Sequence, residues 1–213
     1  MILCLESSAD PTVIGLVTNG KLVMESVFSD RDCFADEVET MLRDMSISPD
    51  RLTAIAVGIG PGSFTGLRVC LAFAKGFARG VTIPIWPVSS LAVIAANLQG
   101  RWDNVAVISP ARRGKAHFAL FSGDTMEQDT ETRMVAYDEL PAHMTADMAL
   151  VGPGIAKLDE PLRKQLSAFI PADDSLNRPH ALTVARLARE EWLERTPPDI
   201  GTIVPVYGLD FPV

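Results

Sequence analysis

The chain has 213 residues and a formal net charge of −8, from 19 basic and 27 acidic side chains. Its length suits one domain or two small fused lobes, and 47% hydrophobic with 22% charged residues excludes a disordered chain. The acidic balance disfavours direct contact with a phosphate backbone, and no apolar stretch predicts a membrane span or a secretory leader, so we expect a cytoplasmic protein.

The chain opens with three predicted strands and one amphipathic helix. Residues 2–5 are continuously apolar, and Asn19-Gly20 favours a tight hairpin between strands at 12–17 and 22–28. A helical period follows, with Asp32 as a candidate N-cap and an acidic outer face. The apolar stripe of this helix consists of Phe34, Val38, Met41, Leu42 and Met45.

A glycine-rich turn, GPGSFTGLR at 60–68, separates the next predicted strand at 54–59 from a helix at 66–79. A strand at 81–88 contains Pro84 and Pro87, which favour the edge of a sheet, and a helix at 89–97 follows. This order of elements is typical of one half of an actin-like or ribonuclease-H-like fold. The sequence therefore predicts an α/β fold.

The second half of the chain has weaker patterns. Residues 105–108 and 116–121 predict two strands, joined by a basic turn that contains Arg112, Arg113 and Lys115. Helices are expected at 138–146, 155–165 and 181–195, and a surface loop at 122–132. We expect an N-terminal lobe over residues 1–100 and a reduced C-terminal lobe over residues 101–213.

The glycine-rich turn has two interpretations. Its spacing fits neither GxxxxGK[ST] nor GxGxxG, so the glycines are interpreted mainly as a sharp and rigid turn from strand to helix. The second interpretation is contact with a nucleotide or another anion at the start of the helix. The residues that would make this contact are Gly60, Gly62, Ser63, Thr65, Gly66 and Arg68.

The helix after this turn is apolar on nearly all sides, so we expect it to be buried on two of them. One side would face the sheet, and the other would meet another helix or another chain. The first helix is the candidate to share that second surface, unless the C-terminal lobe covers it. The predicted contact residues of the second helix are Leu67, Leu71, Phe73, Ala74 and Phe77.

GPGSFTGLR, with the segments Ala74-Lys75-Gly76 and 87–91, resembles the bacterial TsaB family, also called YeaZ. The resemblance implies an actin-like fold of two lobes, the second of which is reduced. It also implies a role in making threonylcarbamoyladenosine next to the anticodon of transfer RNA. The chain would not catalyse the transfer itself.

The resemblance further implies a set of partners. The chain would bind a catalytic paralogue, TsaD, through its first two helices, and a small ATPase, TsaE, would join the pair. Transfer RNA would be met only through the complex. ATP or ADP at the complex interface stays an open option. A homodimer is expected when the partner is absent, because a large apolar patch seldom stays exposed to water.

Two enzymatic alternatives are weaker. A metallopeptidase needs imidazoles on one face of the first helix, but no histidine precedes His117, so no metal site is predicted. An actin-like kinase needs two acidic residues at its phosphate loops. Glu6 stands near the first position and is interpreted as a solvated turn acid, while Pro110 replaces the second. Catalytic residues are therefore not assigned.

Overall fold

The computed structural model describes residues 1–29, 33–112 and 114–208, so the proposed N-cap Asp32 and Arg113 of the basic turn lie outside the described residues. A five-stranded sheet has the order β3-β2-β1-β4-β5, and a four-stranded sheet has the order β8-β7-β6-β9. The strands are β1 (Ile2–Glu6), β2 (Thr12–Thr18), β3 (Lys21–Phe28), β4 (Ala54–Gly58), β5 (Ile85–Val88), β6 (Asn104–Pro110), β7 (Lys115–Ser122), β8 (Arg133–Ala136) and β9 (Met148–Val151). The α-helices are α1 (Phe34–Asp44), α2 (Phe64–Val81), α3 (Ser90–Ala95), α4 (Glu160–Leu166) and α5 (Ala181–Glu194).

The first sheet combines a meander with a parallel crossover. Strand β1 pairs with β2 in antiparallel and with β4 in parallel orientation, and β5 is an edge strand, as the prolines of this segment predicted. Because side chains alternate along a strand, Leu3 and Leu5 face α1 and α2, whereas Cys4 faces the opposite side. Both faces of the sheet are therefore covered by helices.

Helix α5 covers that opposite side, although it belongs to the last part of the chain. Ala181, Val184, Ala185 and Ala188 pack with Cys4 in one apolar cluster. The predicted division at residue 100 separates the two sheets, but the C-terminal helix returns to the first of them. The second lobe consequently contains less of the chain than residues 101–213.

One carboxylate fixes the start of α5 on the first sheet. Glu25 of β3 accepts hydrogen bonds from the backbone N–H of Ala181 at 2.8 Å and from Nη1 of Arg178 at 3.0 Å. Nδ1 of His180 lies 3.6 Å from the same carboxylate. Glu25, on strand β3, thus stabilises the N-terminus of α5 by accepting from an N–H group that has no partner within the helix.

The second lobe differs most from the sequence expectations. Strands β8 and β9 were not predicted, and the helix expected at 138–146 is a 3-10 helix at Tyr137–His143 that contains Pro141. The helix expected at 155–165 is divided into a 3-10 helix at Pro153–Lys157 and α4, where Asp159 caps the new start. Within the described residues, no helix is both long and apolar enough to cross a membrane.

Candidate functional site

The glycine-rich turn lies between β4 and α2 and is closely packed on two sides. Gly60 has φ +106°, and a Cβ there would overlap the backbone oxygen of Val206 and approach Leu67 Cδ1 at 2.8 Å. A Cβ at Gly62 would overlap the backbone oxygen of Ser8. These two glycines are therefore required because other backbone segments pass directly against the turn.

Backbone donors of the turn are used inside the protein. The N–H of Gly60 donates to Ser90 Oγ at 3.0 Å, and the N–H of Ser63 donates to the Ser8 carbonyl at 2.6 Å. Ser63 Oγ caps α2 by accepting from the N–H of Gly66 at 3.2 Å. Three N–H groups that a phosphate cradle would need are thus already paired, which favours the interpretation as a rigid turn.

Glu6 lies beneath this turn and connects it to α3. Its carboxylate accepts from the Ser8 N–H at 2.7 Å and from Ser90 Oγ at 2.8 Å, and the residue is only 1% exposed. Its interpretation as a solvated acid was therefore wrong. Burial raises the pKa of Glu6 above its ordinary value, and the hydrogen bonds from Ser8 and Ser90 oppose that rise. Each carboxylate oxygen of Glu6 therefore already accepts a hydrogen bond inside the protein, which disfavours a role as the acid of a kinase phosphate loop.

We expect Glu6→Gln to change how stability depends on pH. In the folded chain Glu6 has a pKa above 4.5, so the folded state holds this proton more tightly than the unfolded state. The stability it supports is complete below pH 4.5 and decreases as pH rises towards the folded pKa, by up to about 1.4 kcal/mol per pH unit. The amide cannot ionise, so urea unfolding of Glu6→Gln between pH 4 and 8 should no longer show this decrease in stability.

Glu39→Gln, on the exposed face of α1, is the matched control and should keep the wild-type dependence of stability on pH. If Glu6→Gln also kept the wild-type dependence, the prediction would be contradicted.

The last described residues cover the outside of the same turn. The N–H of Val206 donates to the Ile59 carbonyl at 2.7 Å, and Tyr207 contacts both the Phe64 ring, with centroids 5.0 Å apart, and Nε of Arg68, at 3.1 Å. Arg68 also lies 4.2 Å above the Phe64 ring. This contact was missed because nothing local in the sequence connects residues so far apart. The guanidinium of Arg68 is therefore engaged by the tail, while Thr65 remains exposed.

The proposed contact residues of α1 and α2 lie mainly inside the protein. Most of them are buried in the core between these helices and the first sheet, so they cannot form an outer surface in the folded chain. The buried residues are Phe34, Val38, Met41, Leu42, Leu67, Leu71 and Ala74; Phe73 and Phe77 are half-buried, and Met45 is exposed. An apolar pattern on all sides of α2 could not indicate which side faces the sheet.

The outward face of α2 carries a different set of residues. Phe64 is 50% and Val69 37% exposed, and Ala72 is also exposed. A Cβ added at Gly76 would meet no atom within 4 Å, so the backbone is open to a neighbour at that position. These four residues, Phe64, Val69, Ala72 and Gly76, are called the α2 outer face below. The small residues Ala72 and Gly76 leave little side chain over the α2 backbone at this face.

The residues of the enzymatic alternatives are not assembled into a site. Among the described residues, no group of three or more His, Cys, Asp or Glu side chains could hold a metal ion. His117 is buried on β7, and its burial lowers the pKa of the imidazole. Arg112 and Lys115 of the basic turn are exposed.

Comparison with known protein families gives one match across most of the chain. A sequence model described as "TsaD: tRNA N6-adenosine threonylcarbamoyltransferase" matches residues 32–181. The tRNA threonylcarbamoyladenosine biosynthesis protein TsaB of Bacillus subtilis is 39% identical over 84 residues, which cover 39% of this chain and 37% of that protein. Its namesake in Haemophilus influenzae is 25% identical over 97% of this chain and 92% of that protein.

Solved structures agree with the fold. YeaZ from Pseudomonas aeruginosa superposes with a TM-score of 0.76 at 21% identity, covering 97% of this chain and 98% of that one. A further Pseudomonas aeruginosa structure, of an uncharacterized protein similar to peptidase YEAZ, gives a TM-score of 0.77 with the same coverage. The predicted two-lobed, actin-like α/β fold is confirmed.

Proposed function

Because this chain belongs to the TsaB (YeaZ) branch of the TsaD family, we propose that it is a non-catalytic subunit for threonylcarbamoyl transfer to tRNA. It acts in the biosynthesis of threonylcarbamoyladenosine, as the names of its relatives state for those proteins. Its role is to bind and stabilise a TsaD-type catalytic paralogue. A TsaE-type ATPase joins the pair, with ATP or ADP bound at the complex interface, and tRNA is met in the cytoplasm only through the complex.

The α2 outer face is the observation that carries this proposal. Phe64 and Val69 are large apolar side chains on the surface, while Ala72 and Gly76 leave room for a second helix against the backbone. Met45, 38% exposed just after α1, adds apolar surface on the neighbouring helix. A net charge of −8 also supports a partner-binding role, because an acidic chain repels the phosphates of tRNA and a partner would have to supply the contacts to tRNA.

The residues of the site support an accessory role. The carboxylate of Glu6 accepts internal hydrogen bonds from Ser8 and Ser90, and Pro110 offers no charge where a second phosphate-loop acid would be needed. The glycine-rich turn holds the N-terminus of α2 through internal hydrogen bonds. We therefore interpret the turn as the support that fixes α2 and its outer face in place.

We expect Val69→Glu to abolish binding to a TsaD-type partner. A carboxylate buried at a packed helix pair without a counter-charge costs several kcal/mol, which corresponds to a loss of more than about 100-fold in affinity. The measurement is co-purification of the tagged chain with its cognate TsaD, followed by titration calorimetry. The side chain is already 37% exposed, so circular dichroism and the unfolding curve should match the wild type.

Leu182→Glu is the matched control for this experiment. Leu182 is 39% exposed on α5, which covers the opposite side of the first sheet, so the same change of charge should leave partner binding intact. In the absence of the partner, the wild-type chain should sediment as a homodimer and Val69→Glu as a monomer. Full partner binding by Val69→Glu would contradict the proposed interface, and failure of the wild type to bind any TsaD would overturn the proposed function.

A further inference from the structure

A cavity of about 600 Å³ lies between α5 and the ends of β1 and β2, on the side of the first sheet away from α1 and α2. Its volume falls within the range of about 300 to 1,000 Å³ that is usual for small-molecule sites. Nothing in the proposed partner role uses this cavity. It is bounded by the β2–β3 hairpin on one side and by the second half of α5 on the other.

The walls of this cavity are mostly apolar. Ile2 and Val17 of the sheet form one side, and Leu182, Trp192 and Leu193 of the C-terminal helix form the other. The exposed fractions of these three helix residues are 39%, 39% and 77%. The Trp192 ring stacks on buried Trp86, with centroids 5.9 Å apart, so the aromatic wall is held in position. The cavity therefore offers apolar surface that is still exposed to water.

Its charged side chains are all cationic. Arg186 and Arg189 line the cavity from successive turns of α5, and no Asp or Glu lines it, although the chain has 27 acidic residues against 19 basic ones. Nη2 of Arg186 donates to the Ala96 carbonyl at 3.0 Å, which fixes that side chain. Arg189 makes no hydrogen bond or ion pair with the described part of the chain. A guanidinium without a counter-ion beside apolar walls suits an anionic head group.

We propose that this cavity binds a small amphiphilic anion, with an apolar chain or ring against Leu182 and Trp192 and a carboxylate at Arg189. The apolar body removes the exposed helix side chains from water, and the charge pairs with a guanidinium in a chain that is otherwise acidic. A free fatty carboxylate and the acidic head of a membrane lipid share this chemistry. The cavity is partly open to solvent, and its volume of about 600 Å³ suits a free carboxylate of small-molecule size.

Dodecanoate is the probe that tests this proposal. Titration calorimetry of the full chain, together with tryptophan fluorescence, to which Trp192 of the cavity wall contributes, should give saturable binding of one dodecanoate. A trimethylammonium compound with the same dodecyl chain should bind at least about tenfold more weakly, because Arg189 repels its charge. Vesicles of anionic lipid should not co-sediment the protein. Vesicle binding without dodecanoate binding, or no saturation by about 1 mM dodecanoate, would overturn the proposal.

Two variants locate the site and one controls for charge. Arg189→Gln should weaken dodecanoate binding about tenfold, and Leu182→Glu should abolish it, because it places a carboxylate on the apolar wall. Arg79→Gln, at an exposed position of α2, removes the same charge far from the cavity and should bind like the wild type. Equal weakening by Arg79→Gln, or unchanged binding by Arg189→Gln with a native circular dichroism spectrum, would contradict the assignment. Val69→Glu should bind dodecanoate normally, so this result is independent of the partner experiment.

Discussion

Gly60→Ala is expected to destabilise the chain by about 3 kcal/mol or more, since the new methyl group meets backbone that cannot move away. At φ +106° an L side chain is strained, and its Cβ would overlap the Val206 carbonyl and crowd Leu67. Relief would require the tail to leave the turn, which would break the hydrogen bond from the Val206 N–H to Ile59. Urea unfolding at constant pH measures the loss.

Gly76→Ala is the matched control for this change. It makes the same substitution within α2, where the new Cβ meets no atom within 4 Å, so it should stabilise the helix by about 1 kcal/mol. The two variants together separate a general effect of glycine replacement from the close packing of the turn. A cost below about 0.5 kcal/mol for Gly60→Ala would contradict the contact between the tail and the turn.

The first lobe could be predicted closely because its signals are local. Continuous apolar runs, the Asn19-Gly20 hairpin and the helical period of α1 each depend on neighbouring residues. The actual bounds of β1 and β4 differ from the expected ones by one residue. The edge position of β5 also followed from a local rule, since Pro87 cannot donate a hydrogen bond within a sheet.

The parts that could not be predicted depend on contacts between distant residues. Glu6 is buried, and its carboxylate accepts a hydrogen bond from Ser90, 84 positions later. Helix α5 packs on the first sheet, where Glu25 accepts a hydrogen bond from the N–H of Ala181 across 156 positions. Strands β8 and β9 have only four residues each, too few for a clear alternation. In each case the burial of the side chain or the pairing of the strand depends on residues far away in the sequence, which local patterns do not reveal.

The candidate interface shows the same limit at the level of single side chains. Hydrophobic periodicity identified α1 as an amphipathic helix and α2 as a helix that is apolar on nearly all sides. It could not distinguish Leu71, which is buried against the sheet, from Val69, which is exposed. The sequence hypothesis that α1 and α2 bind a partner therefore remains a prediction, and the structure changes which residues should be tested.

We expect Glu25→Gln to destabilise the folded chain by about 2 kcal/mol at pH 7, since a charge-assisted cap and an ion pair are lost together. Burial alone would raise the pKa of Glu25, but hydrogen bonds from His180, the Ala181 N–H and Arg178 outweigh it and lower the pKa to about 2. The amide can still accept from Ala181, but it leaves Arg178 without a counter-charge in a partly buried position.

Acid unfolding tests this cause directly. Because the folded pKa of Glu25 lies below 4.5, its stabilising effect is complete above that pH and is lost as pH falls towards about 2. The wild type and Glu25→Gln should therefore differ in unfolding free energy at pH 7 and converge near pH 2. Glu191→Gln, which removes an exposed pair with Arg195, should cost no more than about 0.5 kcal/mol at any pH. If Glu25→Gln stays less stable by the full amount at pH 2, the loss comes from packing, and the carboxylate does not hold α5 on the first sheet by its charge.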